Sequence, residues 1–524
     1  MPLRRLFYGL LCLCLCLSLT GCVTTNGLPI SDEAPLTTLP PAEVSYVAPI
    51  GDAALEYSES TTLYLPSHDG ISLTPVDTQV SYSLVRPRAE SVVRALLAHA
   101  GNKAASSLGG DVHLSLYGTS PVEVSRNVAT VNLSASALQL DRGTLYLACQ
   151  ALTNTLTMLP EIEYVNVLVV DKPVGVDVAN TLPMGAFKFS DAADLGAVYE
   201  QALSRRVGTG ESPLDKPFSA NITLYFPLAQ SQGIMSEVQA MSFENQLLSD
   251  MVVSILRKLG DGPKTASIRS PSLPLLADLL TAKPSLKPSE ETGGSVLVLD
   301  FAHNLDDMLD AYGITREQCM ASLCYTFSTF LPNVSGIALS INGTPVDQLL
   351  MTEDDGAVTS VGGVVRSAFS DRLYDFCTLY YPDDKGALHA SSRPVPYYQA
   401  SNPRFLLTEL AKGPQAADSL PKLRSVMPEG ALSDTDMLGF ALSDDHTLLV
   451  NFSPAFAQAG AELDRDSERA FAYALVNTLC VSPRIRSVCF FQAGSQFDGF
   501  TGEIYWRGLF YPLLEPQQQA EAEP

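Results

Sequence analysis

The sequence predicts an α+β chain: three tandem two-layer β-α-β-β-α-β sandwich domains, helices packed on one face of a mixed sheet, after a signal peptide and a flexible linker. Three observations predict it. First, a five-residue phrase recurs as Thr62-Leu63-Tyr64-Leu65-Pro66, Thr223-Leu224-Tyr225-Phe226-Pro227 and Thr378-Leu379-Tyr380-Tyr381-Pro382. Its tyrosines lie about 160 residues apart, the size of a small domain and too far for a solenoid repeat. Second, other landmarks follow each copy in the same order: an apolar strand ending at Asn132, Asp300 or Asn451, then a helix closed by Pro160, Pro332 or Pro483. Third, 524 residues exceed one core, and a prior of roughly 150 residues per domain gives three.

Arg4 and Arg5 followed by the apolar run Leu6 to Leu19 form a secretory leader. The run is shorter than the roughly 20 residues needed to span a bilayer. Leu19-Thr20-Gly21-Cys22 resembles the bacterial lipoprotein box, which implies cleavage after residue 21 and acylation of Cys22. Two or three acyl chains hold a protein on a membrane where one is marginal. Residues 22–58, rich in Thr, Pro, Ser and acid, read as a flexible tether.

The phrases read as strands: Thr, Leu and an aromatic suit a half-buried pleat, and the proline ends the pairing. Each leads to a helix. In the second unit Leu248, Met251, Val252, Ile255, Leu256 and Leu259 recur at helical spacing, and Gly260 to Pro263 ends the run. Gly413-Pro414 does the same in the third unit. A second helix opens on the capping box Thr315–Gln318, and its counterparts carry Leu145, Leu152 and Leu156, or Phe471, Leu475 and Leu479. A strand rich in β-branched and aromatic residues closes each unit, at Tyr164–Val170, Gly336–Ile341 and Val488–Gln492. The boundaries expected are 1–21 leader, 22–58 lipidated cysteine and linker, 59–215, 216–372 and 373–512 as domains, and 513–524 as a disordered tail.

These phrases together, the Gly-Pro after the first helix included, resemble the GerMN domain of sporulation and spore germination. The second copy fits best; the first departs most, lacking Gly-Pro and having Leu133 where the pattern has Phe. The resemblance implies an extracytoplasmic lipoprotein with a fold like the ring-building modules of envelope secretion complexes. It implies a role in binding or assembly and brings no catalytic residues.

Composition and motifs agree. A formal net charge of −24 opposes nucleic-acid binding. The six histidines share no repeated position, there is no His-Glu-x-x-His pair or Gly-x-Ser-x-Gly elbow, and no metal or cofactor is expected. Gly260 to Thr265 lacks the spacing of a phosphate loop, and Asp464, Asp466 and Glu468 lack the glycine and distal Glu of a calcium loop. Cys149, Cys319, Cys324, Cys377, Cys480 and Cys489 occupy unmatched positions, as free buried thiols would.

Two repeated positions are candidate contact points: the polar strand ends Asn132, Asp300 and Asn451, and the tyrosines Tyr64, Tyr225 and Tyr380. Either set has a plain structural reading beside the functional one, as strand-end caps and as packed rings. The expected function is a non-enzymatic, membrane-anchored envelope module that binds proteins or wall components or self-associates. The alternatives are a transporter's solute-binding lipoprotein and, third, an envelope hydrolase.

Overall fold

The computed structural model describes residues 46–513, apart from 53–54, 208–214, 230, 267, 269, 271–272, 290–292, 347, 351–357, 360–362, 416–421, 428–431, 457–459 and 461–462. The leader, Cys22, most of the expected linker and the tail from 514 lie outside these residues.

The chain opens with β1 (Gly51–Asp52), whose partner comes far downstream. In the first unit β2 (Glu56–Pro66) and β3 (Leu73–Ser83) form an antiparallel hairpin, and α1 (Arg88–Ala98) follows. β4 (Val122–Ser125) pairs with β5 (Val128–Leu133), α2 (Arg142–Leu156) crosses back, and β6 (Tyr164–Val169) lies parallel to β5. Short strands β7 (Lys172–Pro173) and β8 (Phe187–Lys188) return onto β6, and α3 (Leu195–Val207) ends the unit.

The second unit repeats this with β9 (Phe218–Pro227), β10 (Ile234–Phe243), α4 (Leu248–Gly260), β11 (Ser285–Ser289) and β12 (Gly294–Phe301). An extra helix α5 (Leu305–Ala311) precedes α6 (Arg316–Phe330) and β13 (Val334–Ile341). β14 (Thr344–Pro345), β15 (Gln348–Leu350), β16 (Val358–Thr359) and β17 (Val364–Val365) follow, and both β14 and β17 pair with β13. The third unit holds β18 (Tyr374–Pro382), β19 (Leu388–Pro396), α7 (Pro403–Ala411), β20 (Met437–Leu442), β21 (Thr447–Phe452), α8 (Arg465–Leu479), β22 (Ser487–Gln492) and β23 (Ser495–Gln496).

The α+β class and the repeated mixed sheets match the sequence reading, and each closing strand runs parallel to the middle strand as a crossover helix requires. Each unit nevertheless has more strands than the four expected: the opening strand folds back on itself before the first helix, and short strands return onto the closing strand. The extra strand hid differently in each copy. β19 contains Pro394 and Pro396, which argue against a strand from sequence alone.

The hairpin changes the layering. α2, α6 and α8 pack on the closing strand on one side and on the opening hairpin on another, so they are buried over nearly their whole length. The capping box of Thr315 and Gln318 forms as expected. α7 ends as the Gly-Pro pair predicts: Gly413, at φ +78°, donates its amide to Leu410 O at 3.1 Å. The six cysteines among the described residues are free and buried. Burial pushes the thiols of Cys149, Cys319, Cys324, Cys377 and Cys489 up to about 12, so they stay protonated and inert.

The expected linker is too long at its C-terminal end. Residues 46–52 lie on the third unit: β1 adds to β20 in parallel, with Gly51 opposite Gly439. Tyr46 donates its hydroxyl to Asp445 at 2.6 Å, and Arg404 pairs with Asp52 at 2.6 Å. The first and third units accordingly share one hydrophobic core, while the second has its own. Polar composition read as a tether because nothing in a seven-residue segment reveals a sheet edge almost 400 residues away.

Candidate functional site

The tyrosines of the repeated phrase occupy equivalent backbone positions. The amide of Tyr64 donates to Thr155 Oγ1 at 2.8 Å, that of Tyr225 to Thr326 at 3.2 Å, and that of Tyr380 to Thr478 at 3.0 Å. The acceptor each time is a threonine near the end of the buried helix. Their rings diverge. Tyr64 is half-buried and edge-on to Phe189, whereas Tyr225 is buried against Tyr325 with centroids 5.1 Å apart.

The polar strand ends also share one task. Asn132, Asp300 and Asn451 each accept, through a side-chain oxygen, the amide of the second residue in the turn after the closing strand: Asp171 at 3.0 Å, Gly343 at 2.7 Å and Gly494 at 3.3 Å. Each turn has two successive positive φ angles, at Val170 and Asp171, Asn342 and Gly343, Ala493 and Gly494. Such turns match the twist of the strands they join, but Val170, being β-branched, sits there at a cost that the clamp offsets. At Asp300 burial disfavours the charge, yet hydrogen bonds from Ser340, Thr281 and Gly343 win and hold the carboxyl below its usual range.

What surrounds this position differs in each unit. Asn451 is buried and donates Nδ2 to Pro49 O at 2.8 Å, beneath the N-terminal strap. Asp300 is only partly buried, beside the exposed edge strand β11. Asn132 forms the floor of a cleft of about 400 Å³ between the first and second units. One wall is the loop from Tyr117 to Pro121, fastened at both ends to Asn132, with Tyr117 N donating to Asn132 O at 2.9 Å and Asn132 N to Pro121 O at 2.8 Å. The opposite wall is the segment from Arg366 to Ser370.

A buried ion pair closes the inner end. Arg366 Nε and Nη2 donate to Glu123 Oε2 at 2.9 and 2.6 Å, and Nη1 donates to Thr329 Oγ1 at 2.6 Å. Tyr325 donates its hydroxyl to the other Glu123 oxygen at 3.0 Å, and its ring lies 3.9 Å below the guanidinium. Desolvation opposes the charge on Arg366, but the Glu123 carboxylate together with the Tyr225 and Tyr325 phenols outweighs it and holds the guanidinium charged. Burial and the same carboxylate drive the Tyr325 phenol well above its ordinary value. The pair is an interdomain latch with its polar atoms engaged. Sequence reasoning missed it, because partners 243 residues apart leave no local pattern.

The third unit meets this junction through the turn that joins β4 and β5. Ser125 Oγ donates to Tyr374 O at 2.7 Å, and Arg126 N donates to Asp375 Oδ1 at 3.1 Å. Burial raises the Asp375 carboxyl to about 7, although amides from Phe376 and Arg126 work the other way.

The motifs set aside from the sequence have structural employment. The amides of Lys264 and Thr265 point to the Glu237 carboxylate at 3.0 and 2.9 Å, where a phosphate loop would need them free. Asp464 caps α8 by accepting the Ser467 amide at 2.8 Å, and Glu468 accepts Trp506 Nε1 at 2.7 Å. Among the described residues no group of three or more His, Cys, Asp or Glu could hold a metal ion. Cys22 lies outside them.

A family model described as Germane, sporulation and spore germination, matches residues 62–175 and 378–497. Two stretches of the chain match the Germane domain. They are the first and third units; the middle unit, which fits best by its phrases, lies outside the match yet repeats the strand and helix order with α5 inserted. Among solved structures the chain is similar to the tandem GerMN domains of the sporulation protein GerM from Bacillus subtilis, at 16% identity over 59% of this chain and 98% of that one, TM-score 0.23. The first GerMN domain of the same protein matches at 20% identity over 26% and 93%, TM-score 0.20. A protein assigned as a lipoprotein from Clostridium perfringens matches at 15% over 26% and 91%, TM-score 0.17. No curated protein matches the chain.

Proposed function

We propose that this Germane-domain chain is a lipid-anchored binding and assembly module on the outer face of the cytoplasmic membrane, acting without catalysis in sporulation or spore germination. The observation that carries the reading is the packing of three repeated units against one another, through a shared core and a buried ion pair. Tandem units held in this way present fixed, dissimilar faces to partners, as an assembly module must. The lipoprotein box ending at Cys22 supports the anchor, and among the described residues no helix is long and apolar enough to cross a membrane. The partners are envelope proteins, wall components or further copies of the chain.

Crosslinking in intact cells followed by affinity capture tests the reading, with Cys22→Ala as the released control. Wild type is expected in the membrane fraction with envelope partners attached. A Cys22→Ala chain that stays with the membrane sinks the anchor, and capture of no envelope component by wild type sinks the assembly role.

A further inference from the structure

We propose that the cleft over Asn132 binds a neutral, hydroxyl-rich ligand: a glycan segment of one or two sugar rings. This deepens the envelope role by naming the chemistry of a wall-type ligand, and rests on that role only for where the ligand is met.

Size and charge narrow the choice. A cavity of about 400 Å³ lies at the lower end of ordinary small-molecule sites. Its two strongest charges, Glu123 and Arg366, are spent on each other, and no other cationic side chain lines it. Asp171 adds a single carboxylate beside the Asn132 amide. A phosphate or carboxylate ligand would therefore meet a neutral or slightly negative wall, with no positive charge to offset its desolvation.

The remaining lining is built for hydroxyls. Among the described residues Tyr117, Thr119, Ser367 and Ser370 have no side-chain hydrogen bond within the chain, and all four line the cleft. A hydroxyl donates once and accepts twice, so four of them from two facing units can match ligand groups that likewise donate and accept. Tyr117 is 39% exposed and offers an aromatic ring for the apolar face of a sugar.

The wall is held in place before any ligand arrives. The loop is tied at both ends to Asn132, and Gly118 adopts φ +89°, a conformation other residues rarely take. A Cβ on Gly118 would stand 3.8 Å from Asn132 Nδ2. The second unit keeps the first of these ties, Thr281 N donating to Asp300 O at 2.9 Å, and in the third the strap covers Asn451.

Calorimetric titration of the purified full-length chain tests the proposal, using cellobiose, maltose and chitobiose as probes and inorganic phosphate and acetate as anions. At least one neutral disaccharide should bind saturably. Ser367→Trp and Thr119→Trp, at exposed positions on opposite walls, should weaken it by about tenfold or more, and Tyr117→Ala should weaken it as well. Asp300→Ala, at the matching position of the second unit, should leave it unchanged. Circular dichroism shows which variants fold, and Tyr117→Ala decides the matter if neither tryptophan variant does. Wild type that binds no sugar, that binds only the anions, or whose sugar binding survives the folded cleft variants overturns the assignment. None of those results touches the capture experiment in cells, which does not depend on free sugar.

Discussion

The first and third units match the same family model and share a core, yet their polar strand ends lead different lives. Asn132 looks into a cleft, and Asn451 lies under a segment from the other end of the chain. The clamp each residue places on its turn is common to both. What covers the clamp belongs to one copy alone. Repetition therefore preserved the scaffold, and individuality arose in loops and in what packs on sheet edges.

Breaking the latch tests how far the units depend on one another. Arg366→Ala leaves Glu123 buried without its cation and should cost about 3–5 kcal/mol in urea denaturation. The chain has a single tryptophan, Trp506, fully buried in the third unit. If the first and third units melt together, its fluorescence and far-ultraviolet dichroism give coincident transitions. Separate transitions would show that the shared core does not couple them.

Asp375 sharpens the comparison where the third unit meets the first. Its folded value of about 7 lies above the ordinary aspartate value of 3.8, so the folded chain holds this proton more tightly than the unfolded one. Its contribution to stability is full below about pH 4, falls as pH rises, and is lost above about pH 7. Asp375→Asn should thus raise the melting temperature at pH 8 and change it little at pH 4. A gain of equal size at both values would remove the carboxyl as the cause.

Smaller effects separate the strand ends. Asn451→Ala strips buried groups of a partner and should cost about 1–3 kcal/mol, whereas Asp300→Ala, half open to water, should cost about 1 kcal/mol. Equal losses would mean that the strap adds nothing at Asn451. Arg404→Ala removes a partly exposed pair with Asp52 and should cost about 0.2–1 kcal/mol by the same denaturation.

Much of the scaffold was legible because it repeats. Tyr64, Tyr225 and Tyr380 predicted equivalent strands, and the prolines predicted where the buried helices end; Ile162, Val334 and Ile485, two residues beyond, are all buried. β10 and β19 were not legible as return strands: β10 carries Glu237 and Gln239 within its run, and β19 carries prolines. Buried polar groups of this kind depend on distant partners, as Glu237 does on the loop at Lys264 and Thr265. The cleft was half legible. Asn132 stood out by its repetition, but Arg366 reaches the cleft from the next unit, and the loop at Tyr117 shares no sequence pattern with Leu279 to Thr281, which takes its place in the second unit, so the signal that found one could not find the others.

Strand β1 has a mechanical consequence. Tension on the N-terminus enters at Tyr46, held to Asp445, and runs along Pro49, Gly51 and Asp52 before it reaches the first hairpin. The final unit in sequence is thus the first to feel a tug. Until those few contacts tear, the other two units hang from it unstretched.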